Sequence, residues 1–550
     1  MIMIINKTPD VVRICTCRLP NRRNGAPVHA RLESVEETTP GSPGCLPFLH
    51  YICEIIRKSH NSGDSTFVYS STVTRQIHSN RYLYQTRASP TPATMRNYHT
   101  RSPATGKLVK EYPEISNAEV QEAVGKAHSR YENDWRFRSI AERARVVAKA
   151  AAIMREKADE LAGYVTLEMG KLIDQSRSEV ELSAAIMEYY ATHAERLLKT
   201  RAIPEAPGSV IASEPIGVLL AVEPWNFPYY QLARVAGPQL VVGNVVMVKH
   251  ARNVPQCALA FARILEEAGA PEGVYTNLFC SFHQVNALID DFRVRGVTLT
   301  GSEQAGAAVA ERAGRQMKKV VLELGGSDPF IVLEDAKLDH AIIQGAEGRL
   351  RVMGQECTSS KRFIIVGKER GRIFLEGLVQ AMGNLKVGDP ADNSTTLGPL
   401  SSEQTLHDLL KQIHSAKAHG ARIVLGGKRL DRPGFYIEPT IITDIAEDNP
   451  LYQAEAFGPV ASVYVVDNEE QAVKLANATQ YGLGASIFST DIAHAQALAT
   501  RIDSGMVFIN SPAYFAPELP FGGVKNSGFG RETGELGIGE FINYKLIRVA

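Results

Sequence analysis

The chain has no apolar run near the roughly 20 residues that a membrane-spanning helix needs. Its most apolar early stretch, Leu46 to Ile56, is short and broken by His50 and Glu54. Neither sign of charge is in excess: 60 basic and 60 acidic side chains give a formal net charge of zero, so the electrostatic footprint of a nucleic-acid or anionic-membrane binder is missing. Cysteine is sparse. Cys15, Cys17, Cys45 and Cys53 crowd the N-terminal segment, and only Cys257, Cys280 and Cys357 lie in the body. Three scattered thiols make no disulfide framework and fit a reducing compartment. The Cys-x-Cys at 15 and 17 lacks the usual metal-ligand gap and no paired histidines follow, so no metal site is expected. A Gly-x-Gly-x-x-Gly dinucleotide fingerprint is also absent.

What is present suits a soluble α/β protein of more than one domain, with 44% hydrophobic and 22% charged residues in 550. Residues 1–95 have loop composition, as in Thr38-Thr39-Pro40-Gly41-Ser42-Pro43-Gly44, and are expected to form a disordered extension. From Ser65 to Lys110 there is no acidic residue, but Arg75, Arg81, Arg87, Arg96, Arg101, Lys107 and Lys110 recur. That is transit-peptide composition displaced from Met1, and Met95 offers an internal start. The body alternates apolar runs such as Gly217 to Val222, Asn244 to Lys249 and Gly296 to Thr300 with helical periodicity over Asn253 to Ala268 and Gln304 to Ala313. Repeated βα units predict a parallel sheet with ligands at its strand ends. The last run, Ile542 to Val549, reads as an edge strand that pairs with another chain unless covered.

Three motifs carry chemistry: Pro224-Trp225-Asn226-Phe227-Pro228, Glu323-Leu324-Gly325-Gly326 and Gly354-Gln355-Glu356-Cys357-Thr358. A nucleophile, a carboxylate base and a side-chain amide are what is needed to attack a carbonyl, hold its oxyanion and hydrolyse an acyl-enzyme. Singly they are weak, since most lone cysteines are small buried hydrophobes. Together, in this order, they resemble the aldehyde dehydrogenase superfamily and, within it, the succinate-semialdehyde dehydrogenase-like branch. Leu299-Thr300-Gly301-Ser302, Glu455-Ala456-Phe457-Gly458-Pro459 and Pro520-Phe521-Gly522-Gly523-Val524-Lys525 extend the resemblance from about Thr100 to the C-terminus.

The resemblance implies a Rossmann-like NAD(P)-binding domain over 96–322, a catalytic domain over 323–525 and a C-terminal return over 526–550. Its last strand and a hairpin at 197–215 would form a small β oligomerisation element of a homodimer or homotetramer. It implies Cys357 as nucleophile, Glu323 as base and Asn226 as oxyanion donor. Trp225, Lys249, Gly301, Ser302, Gly306, Glu455 and Phe457 would bind NAD+ or NADP+. Arg252 stands where NAD-preferring members often carry a glutamate, and an arginine pairs with a 2′-phosphate. Arg234 and Arg351 match arginines that bind a substrate carboxylate in succinate-semialdehyde dehydrogenases. Two positions depart from the pattern: Val352 where an asparagine is usual, and Phe515-Ala516 where a serine often assists the carboxylate. Both make the pocket more apolar. The expected activity is oxidation of a small aldehyde, succinate semialdehyde first, in the cytoplasm or the mitochondrial matrix, with no nucleic-acid or membrane partner. A broad aliphatic or aromatic aldehyde dehydrogenase and a catalytically silent scaffold remain open. A cofactor-free cysteine hydrolase would want a histidine base, and none lies within the motifs.

Overall fold

The computed structural model describes residues 97–549 and, before them, the backbone of 2–8, 11–18 and 31–35. Two compact units result, Met1–Pro92 and Ala93–Ala550. In the first, Ile2–Thr8, Val11–Arg18 and Arg31–Val35 pair antiparallel around the middle strand. These segments are locally rich in Ile and Val, residues that favour extended backbone. The rest of the expected extension, Leu46 to Ile56 and Met95 included, lies outside the described residues.

The second unit is α/β, as expected. Across its first sheet the strands run Tyr275–Asn277, Val245–Lys249, Val218–Val222, Val294–Thr300, Lys319–Glu323 and Gly528–Phe529. The first five are parallel and the sixth antiparallel. In chain order the parallel strands read 3-2-1-4-5, the Rossmann order. That order reverses between Val218–Val222 and Val294–Thr300, so a crevice opens at their carboxyl ends, beside Pro224-Trp225-Asn226 and Gly301-Ser302. Val218–Val222 and Val245–Lys249 are buried at every residue, which is why they read as unbroken apolar runs rather than alternating ones.

The second sheet runs Arg422–Leu425, Thr440–Thr443, Val460–Val466, Arg362–Val366, Pro329–Val332, Ser486–Phe488 and Phe508–Ile509. A third, antiparallel sheet joins Ile542–Arg548 to Ser209–Pro215 and Arg201–Ala202. Ile542–Arg548 sits at its edge with six of seven residues exposed, in keeping with the edge-strand reading. Helix Pro228–Val242 starts with proline at its first turn and is buried along its whole length. Apolar residues recur at three- and four-residue steps from Ile140 to Gly163, yet the segment forms two helices, Ile140–Glu156 and Ala158–Met169, broken where Lys157 leaves helical geometry.

The turn that carries Cys357 is unusual. Val352, Met353 and Gly354 lie consecutively in the left-handed region, at φ 53°, 52° and 71°. A β-branched residue there is a steric outlier, costing of the order of 1–2 kcal/mol. Gly354 admits no side chain, since a Cβ would stand 2.3 Å from Gly458 O. Arg349, fully buried at the end of helix Leu338–Leu350, holds the turn. It donates to the carbonyls of Gly354 at 2.7 Å, Ser360 at 3.2 Å and Gly458. Burial without a paired carboxylate draws its guanidinium down to about 10. Arg349→Met leaves the Gly354 and Ser360 carbonyls buried and unpaired, at roughly 1–3 kcal/mol each, while Gly458 O keeps the Val460 N–H at 2.7 Å. The variant is expected to unfold well below the native thermal midpoint, and an unchanged midpoint would refute this anchoring role.

Candidate active site

A cavity of about 200 Å³ opens at the reversal point of the first sheet. Trp225 and Asn226 line it from the turn after Val218–Val222, Gly301 and Ser302 from the turn after Val294–Thr300, and Cys357, Glu455 and Phe457 from the second sheet's loops. Seven of the sequence-predicted site residues therefore share one hollow. Asn226 is buried, and its Nδ2 donates to Gln355 O at 3.0 Å, which ties the amide to the cysteine turn. Burial pushes the Cys357 thiol up, with the Lys361 ammonium pulling the other way. Lys361 donates to the carbonyls of Cys357 at 2.7 Å and Glu356 at 3.0 Å.

These residues fit a nicotinamide dinucleotide. Ser302 caps helix Glu303–Arg315 by accepting from Ala305 N, which leaves the first N–H groups of that helix for an anion. Glu455 receives the Gly326 N–H on Oε1 at 3.1 Å. Its Oε2 lies over Gly325, where any Cβ would come within 2.6 Å. Trp225 and Phe457 meet edge to face at 5.7 Å. Lys249 and Arg252 line a separate patch, their cationic heads 4.9 and 5.7 Å from the Phe282 ring. Burial lowers Lys249 to about 8, Arg252 adding to the effect. Arg252 is ion-paired with Glu114. Two cations thus share one carboxylate, an arrangement that a phosphate would complete.

A larger cavity, about 520 Å³, is lined by Phe227, Leu182, Val352, Arg351 and Phe515 among others. Arg351 is gripped by Glu356, Nε to Oε2 at 2.9 Å and Nη2 to Oε1 at 2.7 Å, and donates to Ala513 O at 3.1 Å. Its two Nη1 N–H groups have no hydrogen-bond partner among the described residues.

Three more of the expected site residues line neither cavity. Arg234 does not line either cavity. It is 3% exposed, its Nε lies 2.8 Å from Glu532 Oε2, and Nη2 donates to Thr300 Oγ1 at 3.2 Å. A buried carboxylate has claimed it. Gly306 is a packing glycine, since a Cβ there would stand 2.6 Å from the Leu324 side chain, and it seats the helix on the loop. Glu323 is buried, with neither carboxylate oxygen hydrogen-bonded, and its Oε1 lies where a Gly522 Cβ would be 2.7 Å away. Burial and Glu532 raise it well above the ordinary range, against Arg234 and Arg531.

Sequence reasoning missed Glu223 and Glu532, which complete a buried acidic cluster around Arg234. Glu223 was visible as an acid ending the apolar run Val218 to Val222, whereas Glu532 carried no local signal. Both oxygens of Glu223 lack a partner, and burial raises it well above the ordinary range, Glu532 adding and Arg234 opposing. A carboxyl raised by folding takes up protons in the native state, so it costs stability as pH rises from the unfolded value towards the folded one. Glu223→Gln removes that cost. The variant is expected to match the native protein in stability near pH 4 and to exceed it increasingly from pH 5 to pH 8, by at most about 1.4 kcal/mol per pH unit. Denaturation midpoints measured across that range check the slope, and a pH-independent difference would contradict it.

Comparison with known proteins agrees with this geometry. The aldehyde dehydrogenase family model matches residues 91–547. The succinate-semialdehyde dehydrogenase [NADP(+)] of Deinococcus radiodurans is 48% identical over 454 residues, covering 82% of this chain and 95% of that protein. A probable succinate-semialdehyde dehydrogenase [NADP(+)] of Synechocystis is 45% identical over 452 residues, covering 82% of this chain and 99% of that protein. The structure of succinic semialdehyde dehydrogenase from Streptococcus pyogenes with NADP+ superposes with a TM-score of 0.81 at 44% identity, over 82% of this chain and 99% of that one. With its nucleophile turn, its amide and its Rossmann-order sheet in this arrangement, the chain belongs to the aldehyde dehydrogenase family.

Proposed function

We propose that the protein oxidises succinate semialdehyde to succinate with NADP+. The observation that carries the reading is the shared lining of one cavity by Cys357, Asn226, Glu455 and Phe457, together with a cation in the second cavity that keeps free donors. Cys357 attacks the aldehyde carbon as a thiolate. The Asn226 amide and the Cys357 N–H hold the oxyanion, each such donor being worth roughly a hundred- to thousandfold in rate. Trp225, Glu455 and Phe457 would hold the nicotinamide ring, which would supply the hydride acceptor. Glu323 then deprotonates the water that hydrolyses the thioester, turning its carboxylate from Gly522 towards Cys357 to do so. Because burial keeps Glu323 protonated at rest, hydrolysis speeds up as pH rises through its raised value.

The Nη1 donors of Arg351 bind the substrate's ω-carboxylate. Lys249 and Arg252 take the 2′-phosphate, which favours NADP+, the cofactor of the Deinococcus radiodurans and Synechocystis relatives. Ile542–Arg548 and Ser209–Pro215 make the contact of a homodimer or homotetramer. No helix among the described residues is long and apolar enough to cross a membrane, and the working compartment is the cytoplasm. A second reading, oxidation of uncharged aliphatic or aromatic aldehydes, is favoured by the size of the larger cavity and by Phe227, Val352 and Phe515 in its wall.

Initial rates with succinate semialdehyde, propanal and benzaldehyde, each with NADP+ and NAD+, decide between them. The expected result is at least a tenfold advantage in kcat/KM for succinate semialdehyde, about 1.4 kcal/mol or more. Arg351→Ala should abolish that advantage and Arg252→Ala the preference for NADP+. Glu323→Gln should release about one NADPH per site and then stall at the acyl-enzyme. Comparable rates with propanal would leave the second reading. No reduction of either cofactor by folded protein would sink both.

A further inference from the structure

Lys361 lies outside the motifs by which the sequence marks a site, and no step above uses it. Its backbone is fixed on both sides. The N–H donates to Asp328 O at 3.0 Å and the carbonyl accepts from Ser462 N at 3.0 Å, at the root of strand Arg362–Val366. From there the side chain turns back beneath the reactive turn and is 2% exposed. Nζ reaches Cys357 O at 2.7 Å, Glu356 O at 3.0 Å and Glu455 Oε1 at 3.2 Å. Three ammonium donors meet three acceptors. The same Glu455 oxygen accepts from the Gly326 N–H, and Gly326 packs so closely on the turn that a Cβ would stand 2.5 Å from Cys357 O. Bracing two carbonyls needs only a neutral donor, and burying an ammonium carries a large desolvation cost. The charge therefore has another use.

We propose that Lys361 is a positioning residue for both halves of the reaction: it aims the Glu455 carboxylate into the cofactor cavity and supplies the fixed positive charge behind the Cys357 thiolate. The charged groups facing the thiol are Lys361 and Arg234 on one side of the balance and Glu356 and Glu455 on the other, with Tyr230 a titratable neighbour. Glu356 is committed to Arg351, and Arg234 to Glu532. Lys361 has the largest effect of these charges on the thiol, opposed by Glu356 and then Glu455, and of the two carboxylates Glu455 is the one ion-paired with Lys361. Removing one member or the other should move the thiol in opposite directions. Without Lys361 the thiolate loses its cation. Without the Glu455 charge the cation acts on the thiolate unopposed.

The test is the rate at which iodoacetamide alkylates Cys357 between about pH 6 and about pH 10, in the full chain without cofactor, with Cys357→Ala correcting for other thiols. The alkylation midpoint is expected to rise by about one unit in Lys361→Met and to fall in Glu455→Gln. NADP+ affinity, read from quenching of tryptophan fluorescence, should weaken about tenfold or more in both. A purely structural lysine would alter thermal stability and leave the thiol midpoint of Lys361→Met in place. Lys361→Gln, which keeps a neutral donor for the two carbonyls and drops the charge, decides the matter where Lys361→Met does not fold. An upward shift supports the proposal, whereas an unmoved or downward one overturns it.

Discussion

Cys357 sits on a turn that satisfies only part of its own backbone. Three consecutive left-handed residues take the chain out of helix Leu338–Leu350, and among the described residues the Gly354, Cys357 and Ser360 carbonyls have no backbone N–H partner. A buried carbonyl has to be paired. Here cations do it. Arg349 serves Gly354, Ser360 and Gly458, and Lys361 serves Glu356 and Cys357. Arg362 serves Ser327, Leu475 and Ala476 at 2.9, 2.8 and 2.7 Å. All three are buried. They fix the nucleophile to loops from both sheets, and the strain at Val352 and Met353 persists because these contacts over-determine the turn.

Buried positive charge behind the cysteine has its counterpart in buried negative charge near Glu323. Glu223, Glu323 and Glu532 are all buried, and Arg234 is the cation that bears on all three. Interior charges that outnumber their partners hold protons instead. This favours the protonated form of Glu323, which must release that proton before it can act as the base proposed for it. It also holds Arg234 away from both cavities: pulling it into one would strand Glu532.

The parts legible in the sequence were those with local signatures. Fully buried strands announce themselves as apolar runs, and their carboxyl-end turns carry residues such as Trp225-Asn226 and Gly301-Ser302 that nothing in core packing requires. Four of the seven cavity residues came from such turns, whereas Cys357, Glu455 and Phe457 lie on loops that lead into strands Arg362–Val366 and Val460–Val466. What could not be read was partnership across distance. Arg234 looks the same in sequence whether it faces a substrate or Glu532, which lies 298 residues on. Gly306 has the spacing of a phosphate turn, yet it is set by the Leu324 side chain. Lys361 reads as an ordinary strand-start lysine until the fold places Glu455 beside it. The break at Lys157 was hidden because helical periodicity runs through it.

Arg351 shows how such partnerships bear on specificity. An arginine has five N–H donors. Nε and both Nη2 donors go to Glu356 and Ala513, so the carboxylate that the proposed function brings to Arg351 would meet only Nη1. The pairing with Glu356 also cancels most of the long-range attraction of the guanidinium, because an anion approaching the cavity sees a dipole rather than a charge. Selectivity for a carboxylate must then come from short-range hydrogen bonds at a fixed distance from Cys357, not from the field. Such bonds reward a chain of the right length and do little for anions in general. An apolar wall of Phe227, Val352 and Phe515 adds to this constraint, since it offers an ill-placed carboxylate nothing in exchange for its lost water. The two departures from the branch's usual pattern, Val352 and Phe515, thereby sharpen the demand on Arg351.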